Sequence, residues 1–168
     1  TGKFGWRQPL GEAVSGSILE HDGQLYVPTL GNHLYKIDLQ SGLATTRLTF
    51  SQPVYAPPVL TRDGQHLIVS GNEAVSYSLT TRPLECRRVS FTKQKPGSMD
   101  APMISMGDLV LMAENDQTGQ ALLRVLDASD SETGLPEVAS VRLGSHVRDT
   151  PILRGNRLYV PAEGEQFN

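Results

Sequence analysis

SILEHDGQLYVPTLGNHLYKIDLQSG, residues 17–42, is the stretch from which the rest of the chain can be read. Ile18 and Leu19 form a short apolar pair, and Asp22-Gly23 is a dipeptide of the kind that closes a hairpin. Leu25, Tyr26 and Val27 suit a pleated, largely buried surface. Gly31-Asn32 makes the next turn, and Leu34, Ile37 and Leu39 follow as a third strand. Ser41-Gly42 then turns into a fourth strand with Thr45, Leu48 and Phe50. Four short strands joined by tight turns make one antiparallel meander. Such a sheet has two open edges and two faces, so it is barely stable alone and needs neighbours.

The neighbours lie further along the chain. The residue before each opening apolar pair is Ser17, Pro58, Pro102 and Pro151, spaced 41, 44 and 49 residues apart. The second strand recurs too, as DGQLYV at 22–27, DGQHLIV at 63–69, MGDLVLM at 106–112 and RGNRLYV at 154–160. A period of roughly 40–50 residues with four strands per unit marks propeller blades. The expected fold is all-β, a β-propeller of four-stranded antiparallel blades. One domain, 1–168, then divides into a blade end (1–12), three blades (13–52, 53–96, 97–145) and a partial blade (146–168). Phe4 to Leu10 reads as the outermost strand of the first, incomplete blade. About three full and two partial blades point to part of a seven- or eight-bladed ring. Closing it needs the remaining blades of a longer protein, the favoured expectation, or a second copy.

Composition narrows the function. The formal net charge is −3 and the isoelectric point is near 5.8, which argues against a phosphate-binding surface. No run approaches 18 apolar residues, so a membrane-spanning helix is not expected. No signal peptide is visible, although the chain opens in mid-motif and a targeting segment could lie upstream. The single cysteine, Cys86, excludes an internal disulfide framework and reads as a small buried hydrophobe. Phosphate-cradling glycine loops and the nucleophile-elbow motif are absent. His21, His33, His66 and His146 are scattered without zinc-ligand spacing.

The opening string TGKFGW resembles the closing motif of quinoprotein-like (PQQ-like) propeller repeats, whose blades tend to end A-x-D-x-x-T-G-K-x-x-W. In that family the tryptophan stacks on the neighbouring blade. The resemblance assigns blade docking to Gly2, Trp6, Asp38 and Gly42. The motif then decays: Thr46 stands at the tryptophan position of the first full blade. Ser78, Arg82 and Cys86 replace Asp, Gly and Trp in the second. In the third, Asp127 and Gly134 survive and Val138 takes the tryptophan position. The quinone dehydrogenases of the family resemble one another in a vicinal cysteine pair and a calcium held by Glu and Asn, and no such set can be carried over. The resemblance therefore implies the scaffold branch: a non-catalytic module without cofactor that binds protein through its inter-blade loops, bacterial and periplasmic or extracellular. Fold alone does not fix function. The alternatives are a quinone- or metal-dependent oxidoreductase with its active-site residues in other blades, and a small-ligand sensor.

Three local features complete the reading. Two residues before the aligned Ser or Pro stand Ser15, Ala56, Asp100 and Asp149, positions expected to ring one mouth of the central channel. Asp100 and Asp149 in adjacent blades would meet there, with Arg148 available to neutralise them. Residues 114–120 and 127–136 read as polar insertions and candidate partner contacts. Asp127, Asp130 and Glu132 in the second lack the spacing of a calcium loop. Arg82, Arg87, Arg88, Lys93 and Lys95 make the last strand of the second blade basic, as befits a solvated edge that resists sheet-to-sheet pairing.

Overall fold

The computed structural model describes residues 5–129 and 134–163, and these contain strands and no helix. The first sheet is β1 (Leu19–His21), β2 (Gln24–Pro28), β3 (His33–Asp38) and β4 (Ala44–Thr49), hydrogen-bonded in chain order. The second comprises β5 (Val59–Leu60), β6 (His66–Ser70), β7 (Val75–Thr81) and β8 (Leu84–Phe91). The third has β9 (Ile104–Met106), β10 (Leu109–Asn115), β11 (Ala121–Asp127) and β12 (Glu137–Leu143). A two-stranded sheet, β13 (Ile152–Arg154) and β14 (Arg157–Tyr159), follows. All pairings are antiparallel, as four-stranded meanders require.

Turn chemistry sets the register. His21 pairs with Gln24 across Asp22 and Gly23, whose φ values of 51° and 70° give the left-handed pair that a tight hairpin demands. Met106 pairs with Leu109, and Arg154 with Arg157, across Gly107-Asp108 and Gly155-Asn156.

The sheets stand side by side, and both faces of β2, β6 and β10 are covered. Leu67 and Val69 on β6 face a cluster with Tyr26, Leu34, Phe50 and Tyr77 from the first two sheets. Ile68, between them in sequence, joins Val110, Met112 and Leu126 of the third sheet instead. Leu111 and Ala113 in turn pack with Val147, Leu158 and Val160 of the fourth unit. This explains why these strands read as continuous apolar runs rather than as an in–out alternation. Each fully buried aliphatic side chain here contributes about 2–5 kcal/mol against truncation to alanine.

The backbone repeats more faithfully than the side chains. Leu30, Asn72, Asn115 and Glu163 donate their N–H groups to the carbonyls of Ala13, Pro53, Ser98 and His146, at 2.9, 2.9, 2.7 and 2.9 Å. Each bond ties the end of one sheet's second strand to the crossing segment that precedes that sheet.

Several expectations shift. Residues 5–10 form no strand, although Trp6 and Leu10 pack on the first sheet. The third sheet's first strand starts at Ile104, because the Gly107-Asp108 turn fixes its end and buried Met103 is drawn into the core. Glu114 and Asn115 belong to β10, so the first polar insertion shrinks to a turn closed by Asp116, which accepts bonds from the N–H groups of Thr118 and Gln120. Cys86 is exposed rather than buried. Gly2, Asp130 and Glu132 lie outside the described residues.

Candidate functional site

Two sets of side chains stand out: those that join one sheet to the next, and those on the face where the crossing segments emerge.

Trp6 lies over the turn between β3 and β4. Its indole Nε1 donates to the Leu39 carbonyl at 2.8 Å, and its ring covers Gly42, where a Cβ would collide with the indole. Gly42 also has φ of 73°, a conformation that L side chains rarely adopt. Asp38 builds the turn: its Oδ1 accepts from the Ser41 N–H and hydroxyl, each at 2.7 Å, while its own carbonyl accepts from Gly42 N–H at 2.8 Å. These bonds, the Ser41 hydroxyl foremost, hold the Asp38 carboxyl below its usual range.

The second sheet offers a carbonyl in the same place. Leu39 N–H bonds Gly23 O and Thr81 N–H bonds Gln65 O, so Leu39 and Thr81 are equivalent. The donor to Thr81 O is Lys36 Nζ, 2.8 Å away, reaching over from β3 of the first sheet. Burial lowers the Lys36 ammonium's pKa. An Asp22–Arg82 ion pair lies alongside, at the Arg82-Pro83 turn. Thr46, at the decayed tryptophan position, instead pairs with Lys36 across β3 and β4. The replacement donor sits one strand inward from where the motif places tryptophan.

The second and third sheets are joined by charge. Buried Arg124 on β11 bonds the Thr92 carbonyl, donates from Nε to Glu137 at 2.7 Å and lies 3.5 Å from Glu114. Glu114 in turn accepts from Lys95 N–H at 3.0 Å, so the 92–95 crossing segment is held at both ends. Gly134 faces Arg88 and Ser90 of β8.

On the other face, the repeated backbone bonds place Val14, Val54, Met99 and Val147 in register. Asp100 is thus equivalent to Ser15, Tyr55 and Arg148, while Asp149 falls one residue later, with Gly16, Ala56 and Ala101. Aligning on Ser17 and the prolines misses this, because the second and fourth crossing segments each hold one extra residue. Arg148 pairs with Glu163 at 2.8 Å and with neither aspartate. Asp149 is exposed and makes no side-chain bond among the described residues.

Asp100 is built in. Its Oδ2 accepts from Asn115 Nδ2 at 2.9 Å. Asn115 also donates to Val147 O and accepts from Val147 N–H, each at 2.9 Å, so the amide is fully used and its orientation fixed. Three hollows meet at Asp100. One of about 190 Å³ is lined by Tyr55, Gly71, Asn72 and Met99, and one of about 200 Å³ by Gly16, Tyr55, Met99 and Pro102. The third, about 500 Å³, is lined by Lys95, Asn115, Asp116 and His146. Tyr55, Asn115, Lys36 and Arg124 were not singled out by the sequence. A single exposed tyrosine or a buried polar residue on a strand leaves no motif. Among the described residues no three His, Cys, Asp or Glu side chains gather as a metal site.

With this geometry in hand, the chain was compared with known proteins. No family model matches it, and no curated protein does. Solved structures do. It is similar to BamB from Moraxella catarrhalis (TM-score 0.73, 19% identity), over 94% of this chain and 46% of that one. The computationally designed Ika4 protein aligns at TM-score 0.74 and 8% identity, over 97% and 94%. Myxococcus xanthus glutaminyl cyclase aligns at TM-score 0.58 and 14% identity, over 90% and 62%. The class is thereby defined: the chain has a β-propeller fold, and its sheets are propeller blades. It spans less than half the length of the BamB chain. No helix among the described residues is long and apolar enough to cross a membrane.

Proposed function

We propose that this chain is part of a quinoprotein-like β-propeller that works as a protein-binding scaffold, outside the cytoplasm, engaging its partner on the face where the crossing segments emerge. The observation that carries the proposal is the cluster of hollows around Asp100, with half-exposed Tyr55 beside it. An exposed aromatic next to a fixed polar group is the usual composition of an interface anchor. The polar insertions considered from the sequence contribute less: the first is a tight turn, and the second lies partly outside the described residues.

The test places a photo-crosslinking residue at position 55, 97 or 141 of the protein in its native host. Positions 55 and 97 line the hollows, and Val141 lies on the exposed outer strand β12. The reading expects a discrete protein adduct from 55 and 97 and none from 141. Equal labelling from all three, or none from the first two, overturns it. Dye reduction on adding quinone and calcium would favour the oxidoreductase alternative instead.

A further inference from the structure

We propose, building on the scaffold reading, that the Tyr55–Asp100 hollow is a receptor for one basic side chain, a lysine or arginine presented by the partner protein. Four observations converge on that chemistry. Asp100 has one oxygen committed to Asn115 and the other without a partner among the described residues, so a carboxylate oxygen is available for a cation. Its direction is set in advance, because Asn115 is buried and clamped to both polar groups of the Val147 backbone. A pre-oriented carboxylate binds a cationic donor without first being ordered.

The walls suit the rest of such a side chain. Tyr55 lines both hollows that flank Asp100 on this side, and the residue is 49% exposed. An aromatic face beside a carboxylate is the pairing that attracts ammonium and guanidinium groups. Met99 forms the floor of the same two hollows, held by the Ser70 hydroxyl that bonds its sulfur at 3.2 Å, and offers apolar surface to an alkyl stem. The hollow of about 190 Å³ has room for one long side chain and little else.

Charge selects the side of Asp100 on which the cation sits. The large hollow on the far side is lined by Lys95 as well as Asp116, so its carboxylates already have a cation of the chain's own beside them. The two hollows that contain Tyr55 have no Lys or Arg in their lining. By the repeated backbone bonds the structural equivalents of Asp100 are Ser15, Tyr55 and Arg148, so among the described blades the carboxylate is placed once and the site is single.

The experiment titrates the protein with acetylated, amidated tripeptides Gly-Lys-Gly, Gly-Arg-Gly and Gly-norleucine-Gly, following amide shifts by NMR. Free butylammonium is run alongside, to separate a small amine from a chain-borne side chain. Expected are shifts at Tyr55, Met99 and Asp100 with the Lys and Arg peptides, at least tenfold weaker binding of the norleucine peptide and of butylammonium, and a tenfold loss in Asp100→Asn. That variant keeps the acceptor for Asn115, so its unchanged spectrum elsewhere would show the fold intact. Tyr55→Leu should lose severalfold. Equal binding of the norleucine peptide, or full binding by Asp100→Asn, overturns the proposal. Butylammonium binding as tightly as the peptides would make this a small-amine site and overturn the partner assignment. The crosslinking pattern from positions 55 and 97 reports on the scaffold reading separately, since it can persist when Asp100→Asn has lost the cation.

Discussion

The junction between Trp6 and the first full blade and the junction between that blade and the second solve the same problem with different residues. In each, a backbone carbonyl at the end of a third strand, Leu39 O or Thr81 O, receives a donor from the preceding unit at 2.8 Å. In the first the donor is an indole lying on a glycine. In the second it is a half-buried lysine beside an ion pair, at a turn made by Arg82-Pro83 and not by a glycine. The lesson is that these two junctions share a carbonyl position and a donor to it, while the donor's identity differs. Loss of a motif residue is therefore not loss of the junction.

The largest effect should come from the third junction, which uses neither device. Arg124→Ala leaves Glu114 buried without its cation and frees the Thr92 carbonyl, and removing one partner of a buried ion pair costs about 3–5 kcal/mol. An unfolding free energy lower by that amount, read from urea denaturation, is expected, with Arg124→Met/Glu114→Leu recovering much of it. Gly42→Ala should be next. It forces a left-handed alanine and pushes out the indole, for about 1–3 kcal/mol. In a Trp6→Ala background the same change should cost less, and an undiminished loss would show that Trp6 and Gly42 are not coupled. Lys36→Met should cost about 1 kcal/mol, the worth of one partly buried hydrogen bond. It should leave the Trp6 junction untouched.

The smallest effect is a pH dependence. Asp38, Asp116 and Asp127 all have carboxyls held below the usual range, chiefly by hydrogen bonds from Ser41, Thr118 and Ser129. Folded-state pKa values below the unfolded ones mean that the unfolded chain binds more protons. Their stabilisation is then present above the ordinary aspartate pKa near 4 and is lost as pH falls through the lowered values. Melting temperatures measured between pH 6 and 2.5 should fall less steeply in the triple Asp→Asn variant.

Much of the fold was legible in the sequence. The dipeptides Asp22-Gly23, Gly107-Asp108 and Gly155-Asn156 announce tight turns, and the apolar runs after the first two announce the buried strands β2 and β10. In the second blade, β6 (His66–Ser70) begins inside the 63–69 segment read as a second strand, because Leu67, Ile68 and Val69 leave little choice there. The site was less legible. Asp100 was noticed, but its pairing with Asp149 rested on counting back from prolines, and one extra residue in two crossing segments breaks that count. Lys36 and Arg124 sit at strand positions where the sequence shows only a charge on a pleat. What each reaches depends on how the sheets dock, a long-range fact that local periodicity does not contain.

The most direct test of the docking account uses the chain's single tryptophan as its reporter. Equilibrium urea unfolding would be followed by Trp6 fluorescence and by far-ultraviolet circular dichroism on the same samples. The account predicts a native emission shifted to the blue of free indole, lost in one transition that coincides with loss of the sheets, and red-shifted in advance by Gly42→Ala. Emission like that of water-exposed indole in native buffer, or a Trp6 transition that precedes the loss of sheet structure, would contradict it.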